Sequence, residues 1–163
     1  IALDNNVDGG VLAVMTSSWN GEKYRFDEGC CGNYAKSSLR RKLLNELLPT
    51  LGEDNLIPHE VDLVADNGDD RYGKVSDKVF ILSCDEYRKY RKNVPLLPEW
   101  MWTCTPWYIT DAGGSIIVRC VGTDGSLHGN DAYYTYGVLP VCIFNPEKVK
   151  IEYQFANVKE KTE

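Results

Sequence analysis

Trp100-Met-Trp-Thr-Cys-Thr-Pro-Trp-Tyr108 holds three of the four tryptophans of this 163-residue chain. Trp100, Trp102 and Cys104 alternate with Met101, Thr103 and Thr105, which gives two faces at the strand period of two. Pro106 fixes its own φ and pushes Thr105 out of the helical region, so the strand runs into a turn. An indole is too large, and its N–H too polar, to be placed without a packing or binding reason. One face of this strand must be buried, which assigns Trp100 and Trp102 to the core. Trp107 and Tyr108 lie beyond the proline in turn-like company and are expected at the surface.

The elements on either side follow from periodicity and punctuation. Upstream, Lys78-Val-Phe-Ile-Leu82 reads as a fully apolar strand. Ser83 with Glu86 three residues on is a capping box that opens a helix. Tyr87 and Tyr90 give that helix an aromatic side, Arg88-Lys-Tyr-Arg-Lys92 its solvated end, and Asn93 to Pro98 break it. Downstream, Asp111-Ala-Gly-Gly114 and Thr123-Asp-Gly125 are turns around a strand over Ser115 to Val121. Ser126-Leu-His128 and the polar, aromatic stretch Asn130 to Tyr136 come next. Gly137 to Phe144 is the last apolar strand, and its Pro140 suits an edge or a bulge.

The first half opens with a hairpin, Ile1 to Asp4 and Val11 to Thr16, around Asp8-Gly-Gly10. Ser17 to Tyr34 form a long loop whose Trp19, Tyr24 and Phe26 fold it onto the body. Leu39, Leu43, Leu44, Leu47 and Leu48 recur at helical spacing after Ser37-Ser38, and Pro49 ends that helix. Leu56-Ile57 make a short apolar contact and Val61 to Ala65 a short strand, before the polar loop Asp66 to Gly73. Residues 1–148 form one domain. Residues 149–163, with Val149, Ile151, Tyr153 and Phe155 alternating, add a terminal strand or a mobile tail.

Composition bounds the function. At 43% hydrophobic and 26% charged residues the chain is an ordinary globular protein. A formal charge of −6 lacks the basic footprint that a phosphate backbone requires, so no nucleic-acid partner is expected. No apolar run approaches the ~20 residues of a membrane span, so no membrane insertion is expected. The six cysteines include no Cys-x-x-Cys pair, which argues against structural zinc. Cys84, Cys104, Cys120 and Cys142 lie in apolar runs, as buried reduced thiols do. That favours a reducing setting, intracellular or in a phage particle; a cell-surface setting would require a leader removed before Ile1.

Four segments, in order, resemble a bacterial domain family of unknown function met in gut Firmicutes and their phages. Ser38-Leu-Arg-Arg-Lys-Leu-Leu-Asn45 is similar to its Ser-x-x-Arg-x-x-Leu-Asn helix. Asp77-Lys-Val-Phe-Ile-Leu-Ser83 with Glu86 is similar to its Asp-Lys-x-Phe-Leu-Leu-Ser-x-x-Glu strand and helix start. Trp100 to Pro106 stands where the family has Trp-Trp-Leu-Arg-Ser-Pro, and Tyr136-Gly-Val-Leu-Pro-Val141 where it has Gly-Val-Arg-Pro-Ala. The chain departs at two arginines, replaced here at Thr103 or Cys104 and at Leu139. The resemblance implies an α+β domain with the C-type-lectin-like fold of the formylglycine-generating-enzyme type. Two helices would pack on a small twisted antiparallel sheet with long loops.

The candidate sites are weighed on chemistry. A Cys–His nucleophile needs a cysteine beside one of the two histidines: His59 follows a proline in a turn, and Cys104 or Cys120 is the candidate partner of His128. The formylglycine-generating enzymes use a cysteine pair whose motif matches no residues here. Asp66, Asn67, Asp69 and Asp70 crowd one loop, but their spacing is not that of an EF-hand, and Asp and Asn are also simple turn residues. No catalytic constellation, metal or cofactor is expected. Trp107, Tyr108, Tyr133, Tyr134 and His128 are the expected ligand-binding residues, offering rigid amphipathic rings to a protein or glycan. The expected function is a non-enzymatic recognition module. The alternatives are a Cys/His-dependent enzyme of the formylglycine-generating-enzyme-like branch and a structural subunit of a phage or cell-surface assembly.

Overall fold

The computed structural model describes residues 1–152. It is a mixed α/β domain in which two helical runs pack against several antiparallel sheets. The hairpin forms as expected, with β1 (Ala2–Val7) and β2 (Gly10–Val14) turning at Asp8 and Gly9, both at positive φ. β3 (Tyr24–Arg25) lies in the long loop, and Trp19 and Phe26 bury that loop against the core.

The first helix begins at Ser37, whose hydroxyl accepts from the Arg40 N–H. It does not end at Pro49. Ser38–Lys42 is followed by a π-type turn over Leu43–Leu47 and a last turn over Leu48–Leu51. The Leu48 N–H bonds back five residues to the Leu43 carbonyl. The widened turn accommodates a proline ring that a regular helix would push against a carbonyl.

β4 (Leu56–Ile57) and β7 (Val79–Phe80) are short. Only Val79 and Phe80 of the apolar run Lys78 to Leu82 join a ladder, yet Val79, Phe80, Ile81 and Leu82 are all buried. The strand expected at Val61 to Ala65 begins earlier, as β5 (His59–Asp62), and pairs with β6 (Lys74–Asp77) across the polar loop. The second helix, Cys84–Tyr90, carries the full reciprocal capping box of Ser83 and Glu86, and buries Tyr87 and Tyr90.

The tryptophan strand is β8 (Met101–Pro106), and all six of its residues are buried. Two faces exist, as alternation requires, but both are covered. β9 (Ile117–Val121) pairs with it, and β10 (Leu127–Asp131) closes the three-stranded sheet in the order β10-β9-β8. β11 (Thr135–Tyr136) pairs with β3.

β12 (Val141–Phe144) starts after Pro140 and is central rather than an edge. β2 lies on one side of it, and β7 and β4 share the other. Pro140 precedes the ladder, where its missing N–H costs nothing, and its carbonyl accepts from Met15. Residues 149–152 add no strand. Tyr153 and Phe155, the rest of that expected alternation, lie outside the described residues.

All six cysteines are free thiols, and Cys84, Cys104, Cys120 and Cys142 are buried. Among the described residues no helix is long and apolar enough to cross a membrane.

Candidate functional site

Five of the seven large hydrophobic side chains exposed among the described residues are Trp107, Tyr108, Ile116, Tyr133 and Tyr134. The β8–β10 sheet gathers them. The Trp107 N–H donates to the Ile117 carbonyl at 2.9 Å, and the Ala132 N–H to the Ile116 carbonyl at 2.8 Å. The segments carrying these five side chains therefore lie side by side at one end of the sheet. Expected exposure of Trp107, Tyr108, Tyr133 and Tyr134 is met. The exposure of Ile116, just ahead of β9, has no local signal in the sequence.

Arginines back two of the rings. Arg25 stacks on Tyr133 at 3.8 Å and donates to the Tyr133 carbonyl at 3.1 Å, while Glu28 holds its other side at 2.7 Å. Arg119 lies under Trp107 at 4.6 Å, with its Nε 3.6 Å from the Asp66 carboxylate. Trp107 also leans over Gly129, where a Cβ would collide with its ring. These contacts occupy one face of each ring, and both side chains remain exposed. The Tyr133–Tyr134 turn is held from below by Asp131, whose Oδ1 accepts from the Tyr133 N–H at 2.9 Å and from the Cys30 thiol at 2.6 Å. Burial, then the bond to Asp131, pushes the Cys30 thiol up to about 11.

His128 belongs to a different surface. Along β10 the side chains alternate, so His128 and Asn130 point to the face opposite Gly129 and Trp107. There a row of rings runs His128, Trp100, Tyr136, Tyr134, with neighbouring centroids 4.4, 5.6 and 6.4 Å apart. Trp100 is half-buried beneath His128, whereas Trp102 is fully in the core. Tyr134 joins this row to the exposed end. The structure thus splits the five expected residues between two faces that meet at the Asp131–Tyr134 turn.

The catalytic alternative has one favourable placement. Cys120 sits opposite His128 in the β9–β10 register. Burial pushes the Cys120 thiol up to about 12, so it stays protonated. His128 Nε2 is 2.7 Å from the Ser126 hydroxyl, which itself donates to Asp124. With the hydroxyl hydrogen directed at Asp124, the imidazole acts as donor and leaves the serine unactivated. Cys104 is completely buried, and burial raises its thiol well above the ordinary value.

In the crowded Asp66–Asp70 loop, Asp66 and Asp69 turn their carboxylates to arginine. Asp69 takes a fork from Arg71, and Asp66 lies 3.6 Å from both Arg88 and Arg119. Among the described residues no group of three or more His, Cys, Asp or Glu side chains is arranged to hold a metal ion.

His59 is not a free turn histidine. It lies in β5, stacked on Phe80 at 4.8 Å, with Nδ1 2.7 Å from Asp8 and Nε2 2.9 Å from Glu86. The same Glu86 closes the capping box of the second helix. The bond to Glu86 raises the His59 pKa from its ordinary 6.5, against the opposing effect of burial. A raised folded-state pKa gives stability that is complete below about 6.5 and is lost as pH rises through the folded value. The urea midpoint should therefore fall as pH rises above about 6.5, and His59→Gln should flatten that part of the profile. An equal slope in wild type and variant would remove His59 as the cause.

Comparison of the chain with protein-family models, with curated proteins and with solved structures finds no match.

Proposed function

We propose that this domain is a non-enzymatic recognition module that binds a protein or glycan through the aromatic end of its β8–β10 sheet. The observation behind the reading is the gathering of Trp107, Tyr108, Ile116, Tyr133 and Tyr134, since a soluble surface seldom collects exposed apolar side chains without an interaction. Tryptophan, tyrosine and arginine also dominate binding energy where partners meet. The C-type-lectin-like fold of the formylglycine-generating-enzyme type, and membership of the bacterial domain family that the motifs resemble, belong to the same proposal. Two helices, small antiparallel sheets and long loops in this order support it.

The labelled protein should be run over glycans and bacterial cell-wall fragments beside the Trp107→Ala/Tyr108→Ala double variant. Binding should drop by more than tenfold, because a hot-spot ring contributes about 2 kcal/mol or more. Gly129→Ala should weaken it too, by displacing Trp107. Undiminished binding by both variants would sink the placement of the site.

The register of Cys120 and His128 favours a second reading, a Cys/His-dependent enzyme. His128→Ala would then abolish an activity that Trp107→Ala spares.

A further inference from the structure

Among the described residues β10 is an edge strand. Its ladder to β9 continues at both ends, through the Gly122 N–H to Ser126 and the Ala132 N–H to Ile116. The register therefore directs the backbone of Ser126, His128, Asn130 and Ala132 towards β9. Leu127, Gly129 and Asp131 direct theirs outward. Asp131 is satisfied locally, by the Asn130 side chain and by the Tyr134 N–H. Leu127 and Gly129 each leave an N–H and a carbonyl without a backbone partner among the described residues.

Natural edges are usually blunted by lysine, proline, a bulge or a covering loop. β10 has no lysine or proline, and its register with β9 is regular over five residues. The exposed end of the sheet adjoins it, and Trp107 leans across Gly129. An alternating row of donors and acceptors, two residues apart, is the complement of another extended backbone. Sugar hydroxyls have no such repeat.

Resting on the recognition reading above, we infer that the ligand is an extended peptide segment that adds to β10 as a fourth strand. Backbone bonds to Leu127 and Gly129 hold it, and the two faces of the sheet select its side chains. The peptide residues opposite Leu127 and Gly129 lie on the Trp107 face and are apolar. The residue between them lies beside His128 and Asn130 and is polar.

The test uses the intact, unmodified domain labelled with ¹⁵N. The probes are synthetic twelve-residue peptides with alternating apolar and polar positions, the same compositions scrambled, and the glycan array. Alternating peptides should bind and slow amide exchange at Leu127 and Gly129 by at least about tenfold, while scrambled ones do not. N-methylation at the peptide positions whose N–H faces β10 should cost about tenfold each, from one lost backbone bond. N-methylation at the intervening positions should be neutral. Peptide binding that ignores the position of the methyl group, or leaves Leu127 and Gly129 exchanging freely, overturns strand addition. Glycan binding without peptide binding overturns it too and leaves the recognition reading standing. Silence from both sets removes the inference and the recognition reading together.

Discussion

Replacing Arg40 with alanine should cost the domain about 3–5 kcal/mol, the expected penalty for stripping one partner from a buried ion pair. Arg40, on the first helix, grips Asp77 at the end of β6 with a fork, Nε to Oδ2 at 2.8 Å and Nη2 to Oδ1 at 2.7 Å. A third donor reaches the Ala35 carbonyl at 3.1 Å. The Asp77 side chain is only 2% exposed, so alanine at 40 leaves a carboxylate that water cannot solvate. Against a typical total of about 5–15 kcal/mol this is a large fraction. Urea titration should show a lower midpoint with an unchanged slope. Arg40→Lys should lose less, keeping the charge but not the fork. Removing both charges, with Arg40→Met and Asp77→Leu together, should recover most of the loss, since an apolar pair carries no desolvation penalty. A loss below about 1 kcal/mol for Arg40→Ala would mean that the pair is solvated like a surface bridge.

Trp102→Ala should be comparably damaging, at about 3–5 kcal/mol for a large core ring replaced by a methyl group. Trp102 is 3% exposed and sits between Phe26, edge-on at 5.6 Å, and Tyr136 at 4.6 Å. Its indole N–H donates to the Tyr24 carbonyl at 2.8 Å, tying β8 to the long first loop. Trp102→Phe keeps most of the packing and loses that bond, so about 1–2 kcal/mol of the effect should remain. Because Tyr136 also touches Trp100 and Tyr134, the alanine variant should change the near-ultraviolet circular dichroism beyond the loss of one indole. Trp107→Ala, on the free surface, should stay within about 0.5 kcal/mol of wild type. Equal losses at Trp102 and Trp107 would contradict the burial difference.

The contrast between the two tryptophans marks where local chemistry was sufficient. Trp102 is core and Trp107 is exposed, and both positions were legible from the nine residues alone, although Pro106 stays in the ladder opposite Val118 rather than ending it. The Ser83–Glu86 capping box, the turn at Asp8 and Gly9, and the burial of four cysteines were legible for the same reason: each depends on neighbours within a few residues. The start of the first helix was legible at Ser37-Ser38. Ser37 makes the cap there, whereas the ion pair of Arg40 was not legible.

Tertiary structure decided what depends on distant pairings. The central place of β12 comes from partners at both ends of the chain, so Pro140 could not be placed by its own neighbourhood. His59 acquires its meaning from Asp8 and Glu86, and Arg40 from Asp77, contacts that no local periodicity encodes. Trp107 and His128 were legible as aromatic surface residues, but only the β9–β10 register puts them on opposite faces. Local propensity and period are set by steric terms within a turn or two of chain. Which strand lies beside which is set by long-range burial and backbone pairing, and those terms also decided which rings meet and which edge of the sheet stays open.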